Sequence, residues 1–241
     1  MQSQETIAPA SDDGNDLKHR RIKSYVVRAG RMTQGQSRAI LELGPKYLIP
    51  VDNLEYLDFQ QYFGRKAPLV LEIGFGMGTS FVQMAKNDPA SNYLGIEVHP
   101  PGVGSALKLI AEQECSNVRI IQHDAFEILS HCIPPQSIDV LQIFFPDPWP
   151  KKRHVKRRLI DDEFLRLVAP LLKSGGELRM ATDWEDYARQ MLEVMQRAQG
   201  FTNTSQDGTF VPRPLWRPLT KFEKRGQNLG HGVWDLVFKR D

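Results

Sequence analysis

Three glycines at alternate positions, Gly74, Gly76 and Gly78, follow a short apolar run and precede a helical pattern. Glycine lets the backbone turn sharply and approach a ligand closely, so this turn suits a nucleotide-like group. In the dinucleotide fingerprint G-x-G-x-x-G the third glycine would fall at position 79, which is Thr79. The spacing therefore leans away from NAD and towards the G-x-G-x-G turn of S-adenosylmethionine-dependent methyltransferases. Glu72 precedes the glycines, where a carboxylate holds the turn or faces the charged methionine end of such a cofactor. Glu97 ends the next strand, 23 residues after Gly74, and is placed to accept from both ribose hydroxyls, as in the related dinucleotide folds. Asp124 ends a third strand, where an adenine amino group would be read. A glycine turn alone is compatible with a purely structural bend, and one acid alone with a solvated strand end. Three acids at successive strand ends after that turn make a single cofactor-binding constellation.

A fourth strand runs into Phe144-Phe145-Pro146-Asp147-Pro148-Trp149-Pro150. Asp147 lies between two prolines, whose rings fix φ and stiffen the turn. Trp149 offers either a stacking face or a core aromatic. Amino-group methyltransferases often carry an Asn/Asp-Pro-Pro-aromatic turn here. In this chain a lone proline follows Asp147, and Lys151 to Arg158 then places six bases and His154 in eight residues. A second basic stretch, residues 17–38, carries seven bases and no acid, after an acidic 1–16 with no Lys or Arg. Clustered bases are the footprint of a polyanion partner, although each stretch by itself is also compatible with a solvated surface.

These residues need a scaffold, and 241 residues suffice for one α/β domain with a full core. From Pro68 onward strand and helix signals alternate. Apolar runs predict strands over Leu69–Ile73, Tyr93–Glu97, Val118–Ile121, Ile138–Phe145, Glu177–Ala181 and Val233–Phe238. Helical spacing places Phe81, Val82, Met84 and Ala85 on one face, then Val103, Ala106, Leu107 and Ile110, and later Ala188, Met191, Leu192 and Met195. Asp161 reads as the N-cap of a further helix that ends at Gly175-Gly176, and Pro45 to Pro50 reads as a loop. The fold class is therefore α/β, a doubly wound, mostly parallel sheet with ligands beyond the carboxyl ends of its strands. Three segments are expected: a disordered acidic tail over 1–16, a basic N-terminal arm over 17–50, and the main domain over 51–241. The arm's basic stretch, residues 17–38, holds few large apolar residues (Ile22, Tyr25, Val26 and Val27 among them), so it can dock locally without forming a core. Cys115 and Cys132 make no disulfide framework and no metal spacing, so no metal is expected. No signal-peptide core opens the chain and no run approaches a membrane span, which makes the cytoplasm the default location. No apolar stripe is left unassigned, which favours a monomer.

The motifs together resemble the bacterial tRNA (guanine-N7)-methyltransferases, which modify guanosine 46 in the variable region of tRNA. The resemblance is carried by Glu72 to Gly78, Gly95 to His99, Phe145 to Leu159 (FPDPWPKKRHVKRRL), Ala181 to Glu185, Thr220 to Gly226 and Leu229 to Asp235. It spans roughly residues 25 to 238 and leaves residues 1–16 outside. The proline–aspartate–tryptophan–basic and Thr-Lys-Phe-Glu stretches are far more specific than the glycine turn. The resemblance implies a class I S-adenosylmethionine-dependent fold, with S-adenosylhomocysteine as the spent cofactor. It also implies that Glu72, Glu97, Asp124 and Asp147 line the cofactor and reaction site. Lys151, Asp183, Thr220, Lys221, Phe222 and Glu223 would contact the target nucleotide, and Arg153, His154, Lys156, Arg157 and Arg158 the RNA.

Guanine N7 carries an in-plane lone pair and needs no deprotonation, which agrees with the lack of an obvious Ser-His or Cys-His pair. Asp147 is expected to orient the base and offset the positive charge that methylation leaves on the ring. Asp183 or Glu223 would accept from the guanine N1–H and N2–H₂ edge, and Trp149 or Phe222 would replace lost stacking. Three rival readings remain open at this point. They are a methyltransferase acting on protein or an exocyclic amine, an RNA-binding protein without catalysis, and an NAD-dependent oxidoreductase, the last disfavoured by Thr79.

Overall fold

The computed structural model describes residues 23–25, 31–219, 223 and 232–241. The acidic 1–16 and the substrate-motif residues Thr220, Lys221 and Phe222 lie outside the described residues.

Strands β1 (Leu69–Ile73), β2 (Asn92–Ile96), β3 (Val118–Ile121), β4 (Ile138–Phe144), β5 (Leu172–Thr182), β6 (Phe201–Asn203) and β7 (Trp234–Arg240) form one sheet. Its order is β3-β2-β1-β4-β5-β7-β6. The first five run parallel, while β7 lies antiparallel to both β5 and β6. The central strands are buried on both faces, which is why they read as continuous apolar runs. The helices are α1 (Gln34–Tyr47), α2 (Phe59–Phe63), α3 (Thr79–Asn87), α4 (Pro100–Glu112), α5 (Ala125–His131), α6 (Asp162–Val168) and α7 (Glu185–Arg197). A 3-10 helix covers Lys152–Arg157. Two apolar layers result. One face packs Leu71, Leu94, Ile128, Leu141, Phe164 and Tyr187. The other packs Phe81, Val82, Val103, Leu107 and Ile120 with Ala39 and Tyr47 of α1. No helix among the described residues is long and apolar enough to cross a membrane.

The doubly wound parallel architecture and its strand positions are as the sequence implies, with three local differences. First, α1 continues through Pro45 to Tyr47, where the sequence predicts a loop. Thr33 and Gln36 close its start with a reciprocal capping box. Gly104 of α4 lies so near α1 that a Cβ there would stand 2.7 Å from the Gln36 carbonyl oxygen. That packing outweighs the backbone bond that Pro45 cannot make, and the packed body begins at α1 rather than at position 51. Second, Asp161 does cap α6, accepting from the Phe164 N–H at 2.8 Å, but the helix stops at Val168 instead of Gly175-Gly176. Ala169 still holds helical angles, but Pro170 after it has no N–H with which to continue the helical hydrogen bonds. The glycine pair sits inside β5, where the register with β4 shifts between Ile138 and Val140. Third, α5, α2 and β6 are too short to leave a periodic signal.

Candidate active site

At the end of β1 the chain turns through Gly74, Gly76 and Gly78 with φ of 73, 57 and 80°. These values lie in the left-handed region that glycine alone enters freely. A Cβ on Gly74 or Gly76 would meet nothing within 4 Å, so that side of the turn is open. On Gly78 it would stand 2.5 Å from the Ala106 Cβ, where α3 begins against α4. Glu97 braces the turn from the end of β2. Its carboxylate accepts from the N–H groups of Gly76 at 2.9 Å, Val98 at 2.8 Å and His99 at 2.9 Å. A carboxylate has about four acceptor positions, so Glu97 keeps room for roughly one further donor. Glu72 is buried on β1, and its Oε2 has no hydrogen-bond partner among the described residues. Burial, reinforced by the nearby charge of Glu97, pushes its pKa up to about 8, so the group is largely protonated at neutral pH.

Asp124 follows β3 and caps α5, its Oδ1 accepting from the Phe126 N–H at 2.8 Å. Its Oδ2 accepts from the hydroxyl of Tyr25 at 2.7 Å. Burial, then Asp124 itself, raises the Tyr25 pKa, so the phenol remains the donor. A cavity of about 740 Å³ opens beyond the strand ends, lined among others by Tyr25, Gly74, Glu97, Asp124, Phe145 and Asp147. That volume lies within the range of small-molecule sites. The chain thus brings Gly74, Glu97, Asp124 and Asp147 to one space. Glu72, Gly76 and Gly78 do not line it, and neither do the exposed Lys151 and Asp183.

The turn after β4 is bent by two residues with positive φ, Phe145 at 53° and Trp149 at 45°. The Phe145 N–H donates to the Ala181 oxygen at 2.8 Å and ties the turn to β5. Asp147 is exposed between them. Trp149 is half-buried and donates through Nε1 to the Ser24 oxygen at 2.9 Å. The Arg157 guanidinium lies 4.3 Å from its ring centroid and the His154 ring meets it edge-on. Desolvation, then the charges of Arg153, Arg157 and Lys151, hold the His154 pKa below the usual imidazole value.

The basic run divides by direction. Lys151, Lys152, Arg153 and Lys156 are exposed. Arg158, expected on the RNA face, is instead 3% exposed. It donates to the Pro148 oxygen at 2.8 Å and to Asp186 at 2.6 Å, bonds Gln190, and packs its guanidinium over Tyr187. Arg158 therefore fastens the Asp147 turn to α7 and faces inward. Glu223 likewise points inward, 2% exposed, with both oxygens accepting from Arg217 at 2.7 and 2.8 Å. Its expected place at an open guanine edge is not the one it occupies.

Sequence reasoning gives no functional role to Tyr25, Phe145 or Arg217. Tyr25 has one signal, a large ring in a segment poor in apolar residues. Phe145 shows only as the first residue of the FPDPWP stretch, since a positive φ leaves no local pattern, and Arg217 has no signal, because long-range ion pairing leaves none.

A glycine turn, acids at the ends of β1, β2 and β3, and a stiff Asp147 turn on a doubly wound sheet define a methyltransferase of the class I type. The solved 16S rRNA methyltransferase KamB has the same fold, with a TM-score of 0.56 at 15% identity over 78% of this chain and 95% of that one. The aminoglycoside resistance methyltransferase NpmB1 is similar, at TM-score 0.51 and 16% identity over 77% of this chain and 95% of that one. Residues 66–236 match the model of a family described as "Putative methyltransferase". The tRNA (guanine-N(7)-)-methyltransferase of Burkholderia thailandensis is 56% identical over 231 residues, 96% of this chain and 86% of its own length. That of Pseudomonas putida is 53% identical over 232 residues, 96% of each. The chain belongs to the tRNA (guanine-N(7)-)-methyltransferase family.

Proposed function

We propose that this chain methylates N7 of guanosine 46 in the variable region of tRNA, using S-adenosylmethionine, as a monomer in the cytoplasm. The observation that carries the reading is the cavity shared by Gly74, Glu97, Asp124 and Asp147 beside the exposed bases of the 3-10 helix. The donor set fits a nucleoside with a charged tail. Gly74 and Gly76 leave space where side chains would stand, Glu97 keeps acceptor capacity, and Glu72 Oε2 is a buried acceptor without a partner among the described residues. When bound, S-adenosylmethionine supplies an electrophilic methyl group on a sulfonium.

The residues of the chain then have to hold N7 in line with that methyl. Positioning of this kind accounts for roughly 7–11 kcal/mol of a barrier. Asp147, exposed on a stiff turn at the cavity mouth, orients the base and faces the charge that develops on the ring. Asp183, exposed after β5, accepts from the N1–H and N2–H₂ edge and so selects guanine over adenine. Thr220, Lys221 and Phe222 belong to the same nucleotide site by resemblance. Lys151 contacts the target nucleotide, while Arg153, His154, Lys156 and Arg157 contact the RNA, with the Trp149 ring packed against Arg157.

The test is to incubate the protein with unmodified tRNA and radiolabelled S-adenosylmethionine, then map the methylated nucleotide. Label at N7 of guanosine 46 is the expected result. Label on an exocyclic amine, on protein, or at another nucleotide would overturn the reading.

A further inference from the structure

Helix α4 carries two glycines, Gly102 and Gly104. Glycine in a helix is costly relative to alanine, and neither residue has the positive φ that would call for it. Close packing explains both. Gly104 lies against α1, where a Cβ would stand 2.7 Å from the Gln36 oxygen. Gly102 lies against the glycine turn. A Cβ there would overlap the Gly76 carbonyl oxygen, and would stand 3.2 Å from the Gly76 carbonyl carbon and 3.5 Å from Glu97 Cγ. One turn further along, Ala106 fills the place where a Gly78 side chain would stand. Residues four apart share one helix face, so Gly102 and Ala106 form a single floor under the turn.

Hydrogen bonds tie the same corner together. Pro100 and Pro101 open α4 with rings that fix φ. The Gly102 N–H donates to the His99 oxygen at 2.9 Å. The His99 N–H donates to Glu97 Oε1 at 2.9 Å, and the Gly76 N–H donates to Oε2 of the same carboxylate at 2.9 Å. Glu97, His99, Gly102 and Gly76 therefore close a ring of contacts. The space that a methyl group would need at position 102 borders both the turn and the acid. Its nearest obstacle is backbone, which cannot rotate aside as a side chain can.

We propose that Gly102 is a positioning residue for the cofactor. Its bare backbone lets α4 seat the Gly76 turn and the Glu97 carboxylate at the spacing that S-adenosylmethionine needs. Gly102 does not line the cavity and acts through those two neighbours. The inference rests on the reading of that cavity as the S-adenosylmethionine site.

The experiment compares wild type, Gly102→Ala and Gly104→Ala. It measures thermal unfolding, affinity for S-adenosylhomocysteine by calorimetry, and KM for S-adenosylmethionine and for tRNA. Each substitution adds one methyl group to α4 at a tight contact, but only the first presses on the turn. Gly102→Ala should weaken S-adenosylhomocysteine binding on the order of tenfold, as an overpacked contact displaces its neighbours. Its KM for S-adenosylmethionine should rise in step, with KM for tRNA within a few-fold of wild type. Gly104→Ala should lower the melting temperature and keep S-adenosylhomocysteine affinity within a few-fold. If Gly102→Ala does not fold, Ala106→Ser, which adds one atom to the same face beside Gly78, decides by the same comparison. Unchanged S-adenosylhomocysteine affinity in the folded variant overturns the inference and leaves the cofactor reading intact. So does an equal loss in Gly104→Ala, which marks general loosening. A wild-type protein that does not bind S-adenosylhomocysteine overturns the cofactor reading and the inference together.

Discussion

Glu72 and Asp147 are carboxylates near the ends of neighbouring strands, and solvent separates their chemistry. Asp147 is exposed and lines the cavity. Asp147→Ala should nearly abolish methyl transfer while leaving S-adenosylhomocysteine affinity within a few-fold, as read by single-turnover assay and calorimetry. Near-normal turnover would remove Asp147 from the chemistry. Glu72 is sealed away, with a pKa near 8 against an ordinary 4.5. Between those values the folded protein keeps a proton that the unfolded chain has released. Stability therefore falls as pH rises through that window. Glu72→Gln removes the penalty. Without cofactor, the variant should melt above wild type at about pH 8.5 and close to it at about pH 5. A difference that does not grow with pH would mean that burial of Glu72 is already compensated.

At the scale of elements, the 3-10 helix separates bases that meet solvent from one that meets the core. Neutralising Arg153 and Lys156 together should lower the slope of log affinity for tRNA against log salt by about 0.7–0.9 for each phosphate that is no longer neutralised. Arg158→Gln should instead lower the melting temperature, since it strips partners from Pro148 and Asp186, and leave that slope unchanged. Sequence shows the cluster but not this division, because composition carries no direction on a short turn. The β1–glycine–α3 unit is legible for the opposite reason. A branched apolar run, a glycine turn and a helical stripe are all local signals, and the turn's geometry needs those residues in that place. The strand-end acids follow from counting along the chain. What stays hidden is pairing at long range: Tyr25 with Asp124, Arg217 with Asp235, and Glu223 turned inward. The glycine pair at 175–176 misleads because a bulged strand and a helix end both call for glycine.

Across the whole molecule, residues 23–25 join two regions far apart in sequence. Tyr25 reaches Asp124 at the cavity, while the Ser24 and Lys23 oxygens accept from Trp149 at 2.9 Å and Arg157 at 3.3 Å beside the basic run. A chain shortened to begin at Arg31 keeps α1 and its packing. It should still melt cooperatively yet bind both S-adenosylhomocysteine and tRNA more weakly than the full chain. Unchanged affinity for both would show that residues 23–25 contribute nothing to either site.

The outer side of β3 has a further consequence. Leu48 and Ile49, just past α1, lie along that strand, and the Ile49 N–H donates to the Ile120 oxygen at 2.9 Å. At the opposite margin of the sheet, β6 is only three residues long. An uncovered, apolar strand margin is a template for a second chain to add to. A protein begun at position 51 would lack the Leu48–Ile49 cover, and light scattering should then show aggregation that grows with concentration. The short stretch after α1 therefore covers the β3 margin against such pairing.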